Sequence, residues 1–202
     1  MRGACAAALL VSLGTLGACG STPPSHFYTL SATAKPTAMP SSVAVAVGPV
    51  TLPAVVDRPQ IVVTMGPNEV WLDEFNRWAA PLDDNLSRAI AENLVAMLGT
   101  PRVTVFPQVE AANADYRVAV QVQTFESAPA TAATLDAVWT VRRMKDAQSQ
   151  TGRTRVREVV QGSTGYPALV AAHSRAVARL SQDIADAIRG LESGAGGPPE
   201  SR

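Results

Sequence analysis

The chain has 202 residues, 47% of them hydrophobic and 17% charged, with 17 basic and 17 acidic side chains. A formal net charge of zero provides no electrostatic footprint for nucleic acid or for an anionic surface. Two cysteines (Cys5, Cys19) and two histidines (His26, His173) leave little from which to build a disulfide framework, a metal centre or a nucleophilic triad.

The N-terminus has the layout of a secretory signal: Arg2 as a short positive region, then an uncharged apolar run from Ala4 to Leu16, too short to span a bilayer. Leu16-Gly17-Ala18-Cys19 resembles the cleavage box of bacterial lipoproteins, in which small residues precede the cut and the cysteine becomes the lipid-bearing N-terminus. A core helix is disfavoured by Gly14, Gly17 and Pro23-Pro24. Several acyl chains on Cys19 anchor stably, since each buried methylene contributes about 0.8 kcal/mol. Gly20 stands where an inner-membrane retention signal usually places Asp, so the periplasmic face of the outer membrane is the expected location. Residues 1–18 are then the signal peptide, and cleavage leaves 202 − 18 = 184 residues, enough for one domain. Cys5 departs with the signal and Cys19 is acylated, so the fold rests on its apolar core.

Residues 19–42 read as a lipidated N-terminus and tether, rich in Ser, Thr, Pro and Ala. Phe27-Tyr28-Thr29-Leu30 interrupts it as a short strand or clip. A domain is expected over residues 43–192. Val43 to Val50 reads as a buried strand broken at Gly48-Pro49. Leu52-Pro53 and Arg58-Pro59 bracket a stiff loop. Gln60 to Thr64 and Glu69 to Phe75 form a hairpin about Gly66-Pro67-Asn68. Pro81 to Leu98 is a helix with Leu82, Leu86, Ile90, Leu94 and Met97 on one face, ended by Gly99 and Pro101. Arg102–Phe106 and Asp115–Thr124 are strands, the latter turning Tyr116, Val118, Val120 and Val122 one way. Thr134–Val141 and Arg153–Val160 pair antiparallel across a polar turn that ends at Thr151-Gly152. Pro167 to Leu191 is a second helix, and residues 193–202 read as a disordered tail. The order predicts an α+β domain, two helices on one face of an antiparallel or mixed sheet.

Catalytic patterns are scarce. His173 falls on the apolar stripe of the second helix, where a packed histidine is the simpler reading. His26 has no acidic company. Asp83-Asp84 suit a helix N-terminus better than a catalytic pair. There is no phosphate loop, nucleophile elbow or Ser-x-x-Lys, and no pattern calls for a cofactor or metal. Arg142, Arg143, Lys145, Arg153, Arg155 and Arg157 make a basic hairpin, read as a solvated or aggregation-blocking edge, with an acidic partner or lipid headgroups as the functional alternative. Trp71, Phe75 and Trp78 read as a cluster between hairpin and helix, either core or partner groove.

In order, the lipobox, Phe27-Tyr28-Thr29-Leu30, Val47-Gly48-Pro49-Val50, Leu52-Pro53, Val56-Asp57-Arg58-Pro59-Gln60-Ile61-Val62, Arg77-Trp78-Ala79, Pro81-Leu82 and Leu94 resemble the ABC-type transport auxiliary lipoprotein family. The resemblance implies an α+β fold like the N-terminal domain of TolB-type proteins. It implies a non-enzymatic, cofactor-free part of a lipid transport system, in which an MCE-domain protein bridges the periplasm from an ABC transporter permease and ATPase. Self-assembly into a homo-oligomer is compatible with it. A lipoprotein partner of an outer-membrane β-barrel in lipopolysaccharide assembly is the alternative. The expected docking surfaces are the Leu52–Gln60 loop, through Leu52, Pro53, Asp57, Arg58, Pro59 and Gln60, and the Trp71–Trp78 segment, through Trp71 and Trp78.

Overall fold

The structure is a computed structural model that describes residues 23–37, 40–162 and 165–194. The signal peptide, Cys19 and the end of the tail lie outside the described residues.

Eight strands form one mixed sheet: β1 (His26–Tyr28), β2 (Val45–Thr51), β3 (Gln60–Gly66), β4 (Glu69–Trp78), β5 (Val103–Val105), β6 (Tyr116–Ala128), β7 (Ala132–Arg143) and β8 (Ser149–Val159). Helices α1 (Leu82–Leu98) and α2 (Tyr166–Glu192) cover one face. β6 is the axis. Its whole length pairs antiparallel with β7, which carries β8 as the sheet edge. Its other side is shared: β2 lies parallel to its first half, and β3 meets its end through Val63 and Ser127. β4 is antiparallel to β3 and parallel to β1, while β5 is parallel to β2.

The alternation read in β6 places Tyr116, Val118, Val120 and Val122 in the core, as expected. The strand nonetheless continues four residues past Thr124. Register shifts between Val122 and Thr124, so Gln123 is a bulge. One extra residue exchanges the two faces of a strand. Phe125 and Ser127 therefore turn to the helix side, where both are buried.

The β7–β8 turn is earlier than the sequence suggests. It occupies Met144 to Gln148, and Thr151-Gly152 lies inside β8 opposite Thr140 and Trp139. Gly152 is required there by the Trp139 ring: a Cβ at residue 152 would lie 2.2 Å from Trp139 Cζ2. A glycine read as a turn residue is thus the floor under a buried indole.

The stripe Leu82, Leu86, Ile90, Leu94 and Met97 of α1 is buried, as are Leu169, His173, Val177, Leu180, Ile184, Ile188 and Leu191 at helical spacing along α2. Gly99, at φ 65°, ends α1 by returning its N–H to the Val95 carbonyl. Residues 26–37, read as the distal part of a tether, are packed down instead. Leu30 is fully buried. Buried Asn93 of α1 accepts the N–H groups of Thr33 and Ala34 at 3.1 and 3.0 Å. Arg88 donates to the Leu30 carbonyl and the Thr29 hydroxyl, and Ser174 of α2 accepts from Ser31. A polar, proline-containing segment can lie against two helices because their buried polar side chains satisfy its backbone.

The basic hairpin divides into separate roles. Arg153 and Arg155 both bond Asp136, at 2.7–2.9 Å. The Arg153 guanidinium, against the cost of burial and with help from Arg155, holds the Asp136 carboxyl down at about 2. Arg143 turns inward, pairs with Asp146 and donates to the Leu191 carbonyl at the end of α2. Arg142, Lys145 and Arg157 remain exposed.

Candidate functional site

The loop between β2 and β3 is organised by its own backbone. The Pro53 carbonyl accepts from Val56 and Asp57, at 3.0 and 3.2 Å, and the Val56 carbonyl accepts from Arg58 at 2.9 Å. Val56 is buried under the loop, while Asp57 and Pro59 are exposed. The loop delivers Pro59 to the end of β4, where the Trp78 N–H donates to its carbonyl at 2.7 Å. The next residue, Ala79, donates to the Tyr28 carbonyl at 2.8 Å. β4 therefore ends clamped between the loop and the N-terminal clip.

Ala79 to Pro81 turn the chain into α1. Asn85 holds that turn with its side-chain amide on the Ala80 carbonyl at 3.0 Å. Pro81 is the N-cap residue and supplies no side-chain cap, while Asp83 accepts the N–H of Asp84 at 2.9 Å.

Between these segments lies an open cleft of about 390 Å³. One wall is Asp57, Arg58 and Pro59; the other is Trp78 through Leu82. Two stretches of the family resemblance, 22 residues apart at Arg58 and Ala80, thus face each other. The lining is mainly apolar. Arg58 is its principal donor group, and its Nε is buried without a hydrogen-bond partner. A guanidinium carries five N–H donors in a planar fork, so the cleft can offer a directed donor within apolar walls. The lining contains no hydroxyl, thiol or imidazole.

The other expected residues are dispersed. Trp78 is only 5% exposed; behind the cleft it meets Phe125 and His173 edge-on, with ring centroids 6.1 and 6.3 Å away. Trp71 lies towards the hairpin end, opposite Val63, and is 52% exposed, so Trp71 and Trp78 do not share a surface. Leu52 and Pro53 are half-buried and support the loop without lining the cleft. Gln60 reaches across the hairpin to Glu74 at 3.3 Å.

Sequence reading missed Asp73. β4 shifts register between Asp73, opposite Ile61, and Arg77, opposite Gln60. Asp73 holds the protruding residues in place, accepting the N–H groups of Phe75 and Asn76 at 2.9 Å and the Asn76 amide at 3.0 Å. Tyr166, at the start of α2, donates to the same carboxylate at 2.5 Å. Burial pushes the Asp73 carboxyl up, but the bonds from Tyr166, Phe75 and Asn76 outweigh it and hold it below the usual range. Burial and the Asp73 charge raise the Tyr166 phenol. The available signal is Asp73 at a position where the strand buries its side chain, beside exposed Glu74.

His173 is fully buried. Its Nε2 lies 2.9 Å from Ser127 Oγ, and its ring stacks on Phe125 at 4.1 Å. Burial lowers it to about 3, so it is a neutral packing residue. Among the described residues no group of three or more His, Cys, Asp or Glu could hold a metal ion, and no helix is long and apolar enough to cross a membrane.

Comparison with known proteins places this arrangement. Among solved structures, an uncharacterized protein superposes with a TM-score of 0.66 at 21% identity, over 82% of this chain and 99% of that one. Protein XCC0632 from Xanthomonas campestris superposes with a TM-score of 0.63 at 22% identity, over 84% and 99%. These likenesses establish the shared fold. No curated protein matches the sequence significantly. The family model for the ABC-type transport auxiliary lipoprotein component matches residues 28–185, a span that runs from the N-terminal clip through the cleft and well into α2. The chain belongs to that family.

Proposed function

We propose that this protein is a non-enzymatic, lipid-anchored periplasmic component of an MCE-type lipid transport system, held at the outer membrane through Cys19. Its cleft between Asp57–Pro59 and Trp78–Leu82 docks the MCE-domain protein that connects it to the ABC permease and ATPase. The observation that carries this reading is the convergence of the Asp57-Arg58-Pro59 and Trp78-to-Leu82 segments on one cleft with an unpartnered buried guanidinium nitrogen. A buried polar group without a partner costs about 1–3 kcal/mol. Arg58 as a whole is half-buried at the cleft wall, and its terminal guanidinium N–H groups are the donors for a partner's carboxylate or backbone carbonyl.

Anchoring makes even a weak contact productive, because a short tether raises the effective concentration of the cleft near its partner. Prolines at 53 and 59 reduce the entropy of presenting the loop. The test is a detergent-solubilised pull-down of the tagged full-length protein from its native membrane, with crosslinking and mass spectrometry. The expected result is recovery of an MCE-domain protein and its permease, with crosslinks at the cleft. Recovery of only an outer-membrane β-barrel would overturn the reading.

A further inference from the structure

The end of the β3–β4 hairpin is apolar and uncovered. Met65 is 61% exposed, Val70 50% and Trp71 52%. Neighbours in a strand point to opposite faces, yet Val70 and Trp71 are both half exposed. Both faces of the hairpin end are therefore about half open to solvent. Phe27 on the adjoining β1 is 63% exposed. The Met65–Trp71 stretch carries one charge, Glu69, and no cation.

β1 fixes where the N-terminus comes from. It is parallel to β4, with His26 opposite Asn76 and Tyr28 opposite Trp78. The chain before His26 therefore approaches from the side of the hairpin turn. From Gln60, level with Arg77 and Phe27, to Gly66 at the turn is six residues, or about 20 Å. From His26 back to Cys19 is seven residues, at most about 25 Å of extended chain. The lipid-bearing residue and the apolar hairpin end can thus reach the same plane.

We infer that the hairpin end, through Met65, Val70 and Trp71, seats in the headgroup–acyl boundary of the membrane that holds the Cys19 lipid. It forms a second contact that fixes the orientation of the domain. The inference rests on the proposed lipidation of Cys19. Tryptophan favours the bilayer interface, and apolar burial drives such contacts. With only Glu69 charged, attraction is apolar and insensitive to salt. Proline at 67 and the rigid two-stranded hairpin limit the ordering cost.

The test uses full-length lipidated protein reconstituted in phosphatidylcholine vesicles with brominated acyl chains, read by tryptophan emission. Trp78 and Trp139 are 5% and 6% exposed, so bromine reports chiefly on Trp71. The expected result is a blue-shifted Trp71 signal quenched by bromine, a loss of roughly a third of total emission for one tryptophan of three. It persists at high salt and is absent in Trp71→Phe. Unquenched emission from protein that mass spectrometry shows acylated at Cys19 and that floats with the vesicles overturns the hairpin contact and leaves the anchor intact. A Cys19 without acyl chains overturns the anchor itself, and this inference with it. A blue shift that grows with protein concentration without vesicles assigns the patch to a second copy of the chain and also overturns the membrane contact.

Discussion

Trp78 donates its backbone N–H to the carbonyl of Pro59 at 2.7 Å, and this bond joins the two segments that form the cleft. The Trp78 ring belongs to the core behind it, whereas the Arg58 side chain belongs to the cleft in front. The two residues flanking this bond should therefore respond oppositely to truncation. Arg58→Ala removes a group whose Nε has no partner, so stability should change by less than about 1 kcal/mol while recovery of the docking partner falls. Trp78→Ala should cost about 3–5 kcal/mol. Thermal melts beside pull-downs separate the two, and an Arg58→Ala protein that melts many degrees lower would make Arg58 structural.

Asp73 should be worth more to the cleft than any residue lining it. Asp73→Ala leaves the N–H groups of Phe75 and Asn76, the Asn76 amide and the Tyr166 hydroxyl without their acceptor. We expect a loss of about 3 kcal/mol or more, with docking reduced because the end of β4 is no longer held. Tyr166→Phe removes one of these bonds and should cost about 1–2 kcal/mol. Denaturant titration of the two variants checks the order; equal effects would show that Asp73 does not organise the protruding segment.

Gly152 tests the packing of the β7–β8 pair. In Gly152→Ala the new methyl meets the Trp139 ring at 2.2 Å from Cζ2, while the Trp139 Nε1–H is held by Thr154 at 3.0 Å. The ring cannot retreat without giving up that bond. A destabilisation of about 1–3 kcal/mol is expected, with altered near-ultraviolet circular dichroism from the displaced indole. A wild-type melt and spectrum would mean that the ring moves freely.

Acid stability should carry the signature of His173. Burial lowers it to about 3 in the fold, against about 6.5 in an unfolded chain. Between those values the unfolded state binds the extra proton, so stability rises with pH through this window. The contribution is complete above pH 6.5 and lost as pH falls towards 3. Moving from pH 7 to pH 5 should cost about 2 kcal/mol. Asp136, held at about 2, adds its own loss only below the ordinary carboxylate range. His173→Phe should flatten the slope between pH 6.5 and 4, measured by urea unfolding across pH. A slope unchanged in that variant would assign it to other groups.

Much of this molecule is written in local pattern. The helical stripes Leu82–Met97 and Leu169–Leu191, the β3–β4 hairpin and the alternation of β6 and β7 each follow from a period imposed by one element burying one face. The ordered segments from Phe27 to Leu94 were likewise enough to identify the family. What a period cannot encode is what stands across from an element. Gly152 reads as a turn until Trp139 is placed over it. The strand β6 reads as ending at Thr124 because the Gln123 bulge reverses its faces. The polar segment from Ser31 to Thr37 reads as a tether because its backbone partners, Asn93 and Ser174, are distant helix residues. Arg58 and Trp78 can be selected one by one from sequence, but the Pro59–Trp78 bond is what makes them neighbours. Periodic burial is a property of one element and is therefore legible in the sequence; the cleft depends on backbone hydrogen bonds between distant elements, which exist only once the chain has closed.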